Sequence, residues 1–188
     1  KMLMSCNPAN LFSILEFACV TTEAGEYVEG TGAFKTTGTE ECLARGRFRK
    51  SVDLSGYADG QLHISMYVND VSLLQSRINF ELSSSGESDK DEYEWFIEAS
   101  RLKNGWNEIY LPIGRADNVT GVPERKALNY FRFFTVGRNK DLVTIFDNLY
   151  ATNGDSGENG NGETQGVETT SPYGKMIASG NTLSIFRM

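Results

Sequence analysis

The chain has 188 residues, 39% hydrophobic and 23% charged, which suits one soluble domain with a tail. Eighteen basic residues against 25 acidic ones leave a formal charge of −7, which repels phosphate backbones and argues against a nucleic-acid partner. No apolar run approaches the ~20 residues of a membrane-spanning helix, so membrane insertion is not expected.

Near the start, residues 8–17 read as a short helix, the only one the pattern suggests. Cys6, Cys19 and Cys42 form no C-x-x-C pair, and His63 is the only histidine, so no zinc pattern exists. Three buried free thiols are expected, with one disulfide plus a free thiol as the alternative.

From there to about residue 150, short alternating runs are broken by Gly, Ser, Asn and Asp clusters, the pattern of an all-β, two-sheet antiparallel β-sandwich. In Leu62–Asn69, Ile64, Met66 and Val68 share one face, and His63, Ser65, Tyr67 and Asn69 the other. In Arg77–Ser83, Ile78, Phe80 and Leu82 form the apolar row, and Arg77, Asn79 and Glu81 the polar one. Trp95 and Ile97 point inward from the next run. Leu128–Val136 and Leu142–Tyr150 complete the set, with Tyr130, Arg132 and Phe134 outward if Phe131 and Phe133 face the core.

Asn153–Gly174 is rich in Gly, Asn, Glu and Thr and almost free of apolar side chains. Such a stretch buries too little surface to offset the entropy of ordering it, and it reads as a flexible linker over about 152–174. Beyond it, Lys175–Asn181 echoes Lys1–Asn7 in Lys, Met, Ser and Asn. Residues 175–188 are therefore either the start of a second module or a strand returning to the first.

The polar rows form a candidate binding face. Tyr67, Asn69, Arg77, Asn79, Glu81, Tyr130 and Arg132 combine aromatic rings, which meet pyranose C–H groups, with donors and acceptors for hydroxyls. A solvated face with surface ion pairs such as Arg132–Glu81 is the competing reading. Trp95 and Trp106 are both expected in the core.

Asp147 falls in phase with Val143, Ile145 and Leu149, which puts a carboxylate in an apolar row. A buried lone carboxylate needs a partner. A calcium ion shared with Glu29 and carbonyls of the Tyr27–Gly32 loop is one solution. A β-bulge that turns Asp147 to solvent, or hydrogen bonds to it, is the other.

Catalysis is not expected. No nucleophile motif such as G-x-S-x-G is present, and no phosphate-binding loop or dinucleotide fingerprint.

Leu102-Lys103-Asn104-Gly105-Trp106-Asn107-Glu108-Ile109-Tyr110-Leu111 and Asp147-Asn148-Leu149-Tyr150, with Val52–Tyr57, Phe80–Gly86 and Asn129–Phe133, resemble the galactose-binding-like jelly-roll domains, including bacterial carbohydrate-binding modules. The resemblance covers residues 1–151. It implies two antiparallel sheets, frequently a structural calcium, and sugar binding on a concave sheet face or at the loop edge. The expected role is that of a non-catalytic module of an extracellular or cell-surface protein, tethered to other modules and bound to a polysaccharide or other glycan. A structural or adhesive spacer and a fragment of a polysaccharide-degrading enzyme are the alternatives. Where the family often carries an acid near the start of the domain, this chain has Asn7.

Overall fold

The computed structural model describes residues 12–153, 168–171, 174–177 and 182–184. Two antiparallel sheets pack face to face. The first orders β1 (Phe12–Glu16), β4 (Cys42–Val52), β10 (Leu128–Thr135), β6 (Arg77–Ser83), β7 (Glu92–Glu98) and β9 (Asn118–Thr120). The second orders β2 (Cys19–Thr21), β3 (Ala33–Thr36), β11 (Thr144–Thr152), β5 (Gln61–Val68) and β8 (Gly105–Pro112). The β-sandwich anticipated from alternation is the fold.

The core is the sum of the inward rows. Leu62, Ile64, Met66 and Val68 of β5 meet Ile78, Phe80 and Leu82 of β6 and Phe131 and Phe133 of β10, all buried. Phe133 stacks on Phe146 of the opposite sheet with ring centroids 3.8 Å apart. Trp95 is buried beside Phe80 and donates its indole N–H to the Pro112 carbonyl at 2.8 Å, which satisfies its one polar atom.

Several sequence expectations change. Phe12–Glu16, inside the stretch read as a helix, is a strand that pairs antiparallel with β4. A partner strand decides the matter for so short a segment, because local propensity is weak beside a ladder of hydrogen bonds. Cys19 is exposed and Cys42 half-buried, so three buried thiols do not describe the chain. Trp106 is half-buried on the outer face of the second sheet.

β12 (Glu168–Ser171) pairs with β13 (Gly174–Ile177) as a hairpin. β14 (Thr182–Ser184) pairs antiparallel with Tyr150–Thr152 of β11. Residues 154–167 and the opening heptad Lys1–Asn7 lie outside the described residues.

Candidate functional site

The outer face of the first sheet carries five of the seven expected residues. β10 lies between β4 and β6, with Arg132 opposite Arg45 on one side and Glu81 on the other. Tyr130 likewise faces Arg47 and Ser83. Arg77 and Asn79 continue the face along β6.

Tyr67 and Asn69 are elsewhere. β5 belongs to the second sheet, so Tyr67 lies on the opposite outer surface, against Trp106 at 5.7 Å between ring centroids. Asn69 pins a loop: it donates to the Asp141 carbonyl at 2.9 Å and accepts from the Val143 N–H at 2.8 Å. Alternation correctly assigns each residue to its side of a strand. It is silent on which sheet the strand joins, and the chain crosses from one sheet to the other between β5 and β6.

Most of the shared face is internally satisfied. Arg132 grips both oxygens of the buried Glu81, one through Nε and the other through Nη2 at 3.0 Å. It also reaches Asp89 in the β6–β7 loop at 2.9 Å. Burial pushes the Glu81 carboxyl up to about 7 against the pull of Arg132. Burial pulls Arg132 down, but hydrogen bonds and charge from Glu81, then Asp89, outweigh it and hold the guanidinium above its ordinary value.

Alongside, Arg77 donates to Asn79 at 2.9 Å and lies 3.6 Å over the Phe96 ring. Asn79 donates to Glu94 at 2.7 Å, and Asn118 donates to the other Glu94 oxygen at 3.1 Å. This half of the face is closed by its own pairs.

The opening is beside it, over β4. A cleft of about 200 Å³ is lined by Glu16, Arg45, Arg47, Tyr130 and the loop residues Gly86, Glu87 and Ser88. The β6–β7 loop forms its wall. Ser83 and Ser85 hydroxyls both donate to the Lys90 carbonyl at 2.8 Å, which draws the loop tight. Gly86 has φ +79°, a conformation that favours glycine, and its carbonyl accepts from Arg47 Nε at 2.9 Å. Tyr130 is buried and lines the cleft with Ser88. Arg45 is paired with Glu16 through Nε and Nη2, at 2.9 and 2.6 Å.

Arg45, Arg47, Glu16 and Ser88 were not among the expected residues. A signal existed: Arg45, Arg47 and Arg49 recur at every second position of β4 and so share one side.

Asp147 resolves differently from either half of the expectation taken alone. β11 is irregular between Asp147 and Tyr150, and Asn148 has φ +50°. The irregularity resets the phase, so Phe146 and Leu149 face the core while Asp147 lies on the outer side, opposite Ser65. The loop before β3 covers it. Its carboxylate accepts the amides of Val28 at 2.7 Å, Glu29 at 3.0 Å and Asn148 at 2.7 Å. Burial raises the Asp147 pKa, and these three amides pull it back.

Glu29 thus offers Asp147 a backbone N–H. Amide protons converging on a carboxylate are the surroundings of an anion, and they do not fit a calcium ion at that point. Among the described residues, no three His, Cys, Asp or Glu side chains gather as a metal site. No described helix is long and apolar enough to cross a membrane.

No family model matches the chain, and no curated protein matches it in sequence. Solved structures do. A family 30 carbohydrate-binding module of a cellulosomal cellulase of Clostridium thermocellum superposes with a TM-score of 0.51 at 13% identity, covering 80% of this chain and 90% of that one. A second family 30 carbohydrate-binding module gives 0.52 at 13% identity, covering 82% and 83%. The chain has the fold of these β-sandwich modules. At such identity the likeness is one of architecture, and the ligand has to be argued from the module's own side chains.

Proposed function

We propose that this module is a non-catalytic glycan-binding domain of an extracellular, multi-modular protein, and that it holds its ligand in the cleft between β4, β10 and the β6–β7 loop. The carrying observation is that cleft: a gap bordered by Tyr130, Ser88 and two arginines, on a sheet face otherwise closed by the Arg132–Glu81 pair and by hydrogen bonds around Asn79 and Glu94. At about 200 Å³ it lies below the roughly 300 Å³ at which drug-sized sites begin, and it suits one sugar unit of a longer chain. The walls are strands and a cross-linked loop, so little ordering entropy is lost on binding. The fold shared with carbohydrate-binding modules supports the same reading.

The side chains favour binding over turnover. Glycoside hydrolysis needs two carboxylates with room for the sugar between them. Glu81 and Glu94 face each other across β6 and β7, but Arg132 occupies the first, and Asn79 and Asn118 the second. His63 is stacked on Tyr150, meets Tyr110 edge-on and hydrogen-bonds the Thr152 hydroxyl at 3.0 Å, and no carboxylate among these partners orients the ring as a general base requires.

Affinity electrophoresis against a panel of soluble polysaccharides tests this. At least one should retard the protein, Ser88→Trp should abolish the retardation by filling the cleft, and no reducing ends should appear. Retardation by none would leave the spacer role in its place. Release of reducing ends would make the domain an enzyme.

A further inference from the structure

Arg47 is the cleft residue whose charge is unanswered. Its Nε is tied to the Gly86 carbonyl at 2.9 Å, which fixes the plane of the guanidinium. Among the described residues, its two terminal nitrogens have no hydrogen-bond or ion-pair partner. Of the carboxylates lining the cleft, Glu16 binds Arg45, and Glu87 is exposed to water, 3.9 Å from Lys90. A positioned cation without a counterion among the described residues is conspicuous in a chain whose formal charge is −7.

We infer that the cleft selects a glycan bearing a carboxylate, a uronic-acid unit, which Arg47 takes through its free Nη edge. The inference rests on the proposed glycan-binding role and names the substrate class of that site. A guanidinium edge matches the two oxygens of a carboxylate in one plane, and such charge-assisted pairs are stronger than neutral hydrogen bonds. Holding Nε in advance removes part of the entropy a free arginine would lose. Arg45 stands next along the same side of β4, and its Nη1 is outside the Glu16 pair. The protein's overall negative charge opposes an acidic ligand at long range, but charges beyond about 10 Å are largely screened at moderate salt, so the direct contact with Arg47 decides.

Pectin separates the charge from the sugar, because methyl esterification neutralises the carboxylates and leaves the backbone intact. Titration calorimetry should therefore compare de-esterified and fully esterified polygalacturonate, together with alginate, a sulfated carrageenan, and neutral xyloglucan and galactan. The expected result is binding to at least one carboxylated polymer, weakened by high salt. Arg47→Ala should weaken it by about tenfold or more, a loss of ~1.4 kcal/mol, while Arg47→Lys retains part of it. Thermal melts confirm that both variants fold.

Equal binding of the esterified and free-acid polymers would overturn the inference, and so would binding confined to the neutral glycans. Either result would leave the glycan-binding reading intact. Preference for the sulfated polymer would overturn the carboxylate assignment. Binding to none of the probes would sink both readings. Arg47→Lys binding the carboxylate as tightly as the unaltered chain would overturn the planar fork in favour of a simple point charge.

Discussion

Arg132 on β10 and Glu81 on β6 lie directly opposite one another, and one guanidinium grips both oxygens of a carboxylate with no solvent exposure. The pair, with Asp89 above it, clamps the β6–β7 loop onto the sheet and so shapes the cleft wall. Its role is architectural: the oxygens of Glu81 are occupied before any ligand arrives.

That clamp makes stability depend on pH in a definite sense. Glu81 has a folded pKa of about 7, above its ordinary value of 4.5, so the native state holds the proton more tightly than the unfolded chain does. The resulting stabilisation is complete below pH ~4.5 and is lost as pH rises through about 7. Burial also raises Glu92 and Asp147, which act in the same direction. Denaturant unfolding should therefore show stability falling from pH 5 to pH 8, by on the order of 3 kcal/mol for the Glu81 contribution alone. Glu81→Gln should flatten the slope; an unchanged slope would place the titration elsewhere.

Arg132→Ala should be worse than Glu81→Gln at pH 8. It strands a fully buried carboxylate, a loss of roughly 3–5 kcal/mol, whereas the glutamine leaves no unpaired charge in the sheet. Lowering the pH should restore much of the loss, because Glu81 then takes a proton. Equal destabilisation at pH 5 and pH 8 would contradict this account.

Three backbone amides satisfy Asp147 without an ion. Asp147→Ala should orphan them and lower stability by about 3 kcal/mol or more. The melting temperature of the unaltered chain should move with neither EDTA nor added calcium, since only a ligand that binds the native state shifts it. A calcium-dependent rise abolished by Asp147→Ala would restore the metal expectation.

Gly86 couples loop and ligand cleft through its left-handed backbone and its carbonyl on Arg47. A Cβ there would meet only ordinary contacts, the nearest being Arg47 Nε at 3.6 Å, so the strain of Gly86→Ala is conformational. We expect a stability loss of about 1 kcal/mol and a larger fractional loss of glycan affinity. On the opposite sheet, Tyr67→Ala should leave glycan affinity unchanged, as it lies outside the cleft. Loss of binding there would move the site to the second sheet.

In the core, Phe133 stacks on Phe146 across the sandwich. Phe133→Ala should cost about 3–5 kcal/mol by urea denaturation. A cost under about 1 kcal/mol would mean that the two sheets are not held together at this contact.

The sequence by itself determined the sandwich and the inward rows of β5, β6, β7 and β10, because period-two alternation of apolar side chains is a local property that survives any arrangement of strands. It placed Arg77, Asn79, Glu81, Tyr130 and Arg132 on the outward rows, and it marked Trp95 as core. Only the tertiary structure decided which outward rows share a sheet. That choice separated Tyr67 and Asn69 from the rest and brought β4, with Arg45 and Arg47, beside β10. It likewise decided the fate of Asp147, where one irregular step in β11 reverses the phase that alternation assumes. Strand order and bulges arise from contacts between distant segments, so no window along the chain contains them.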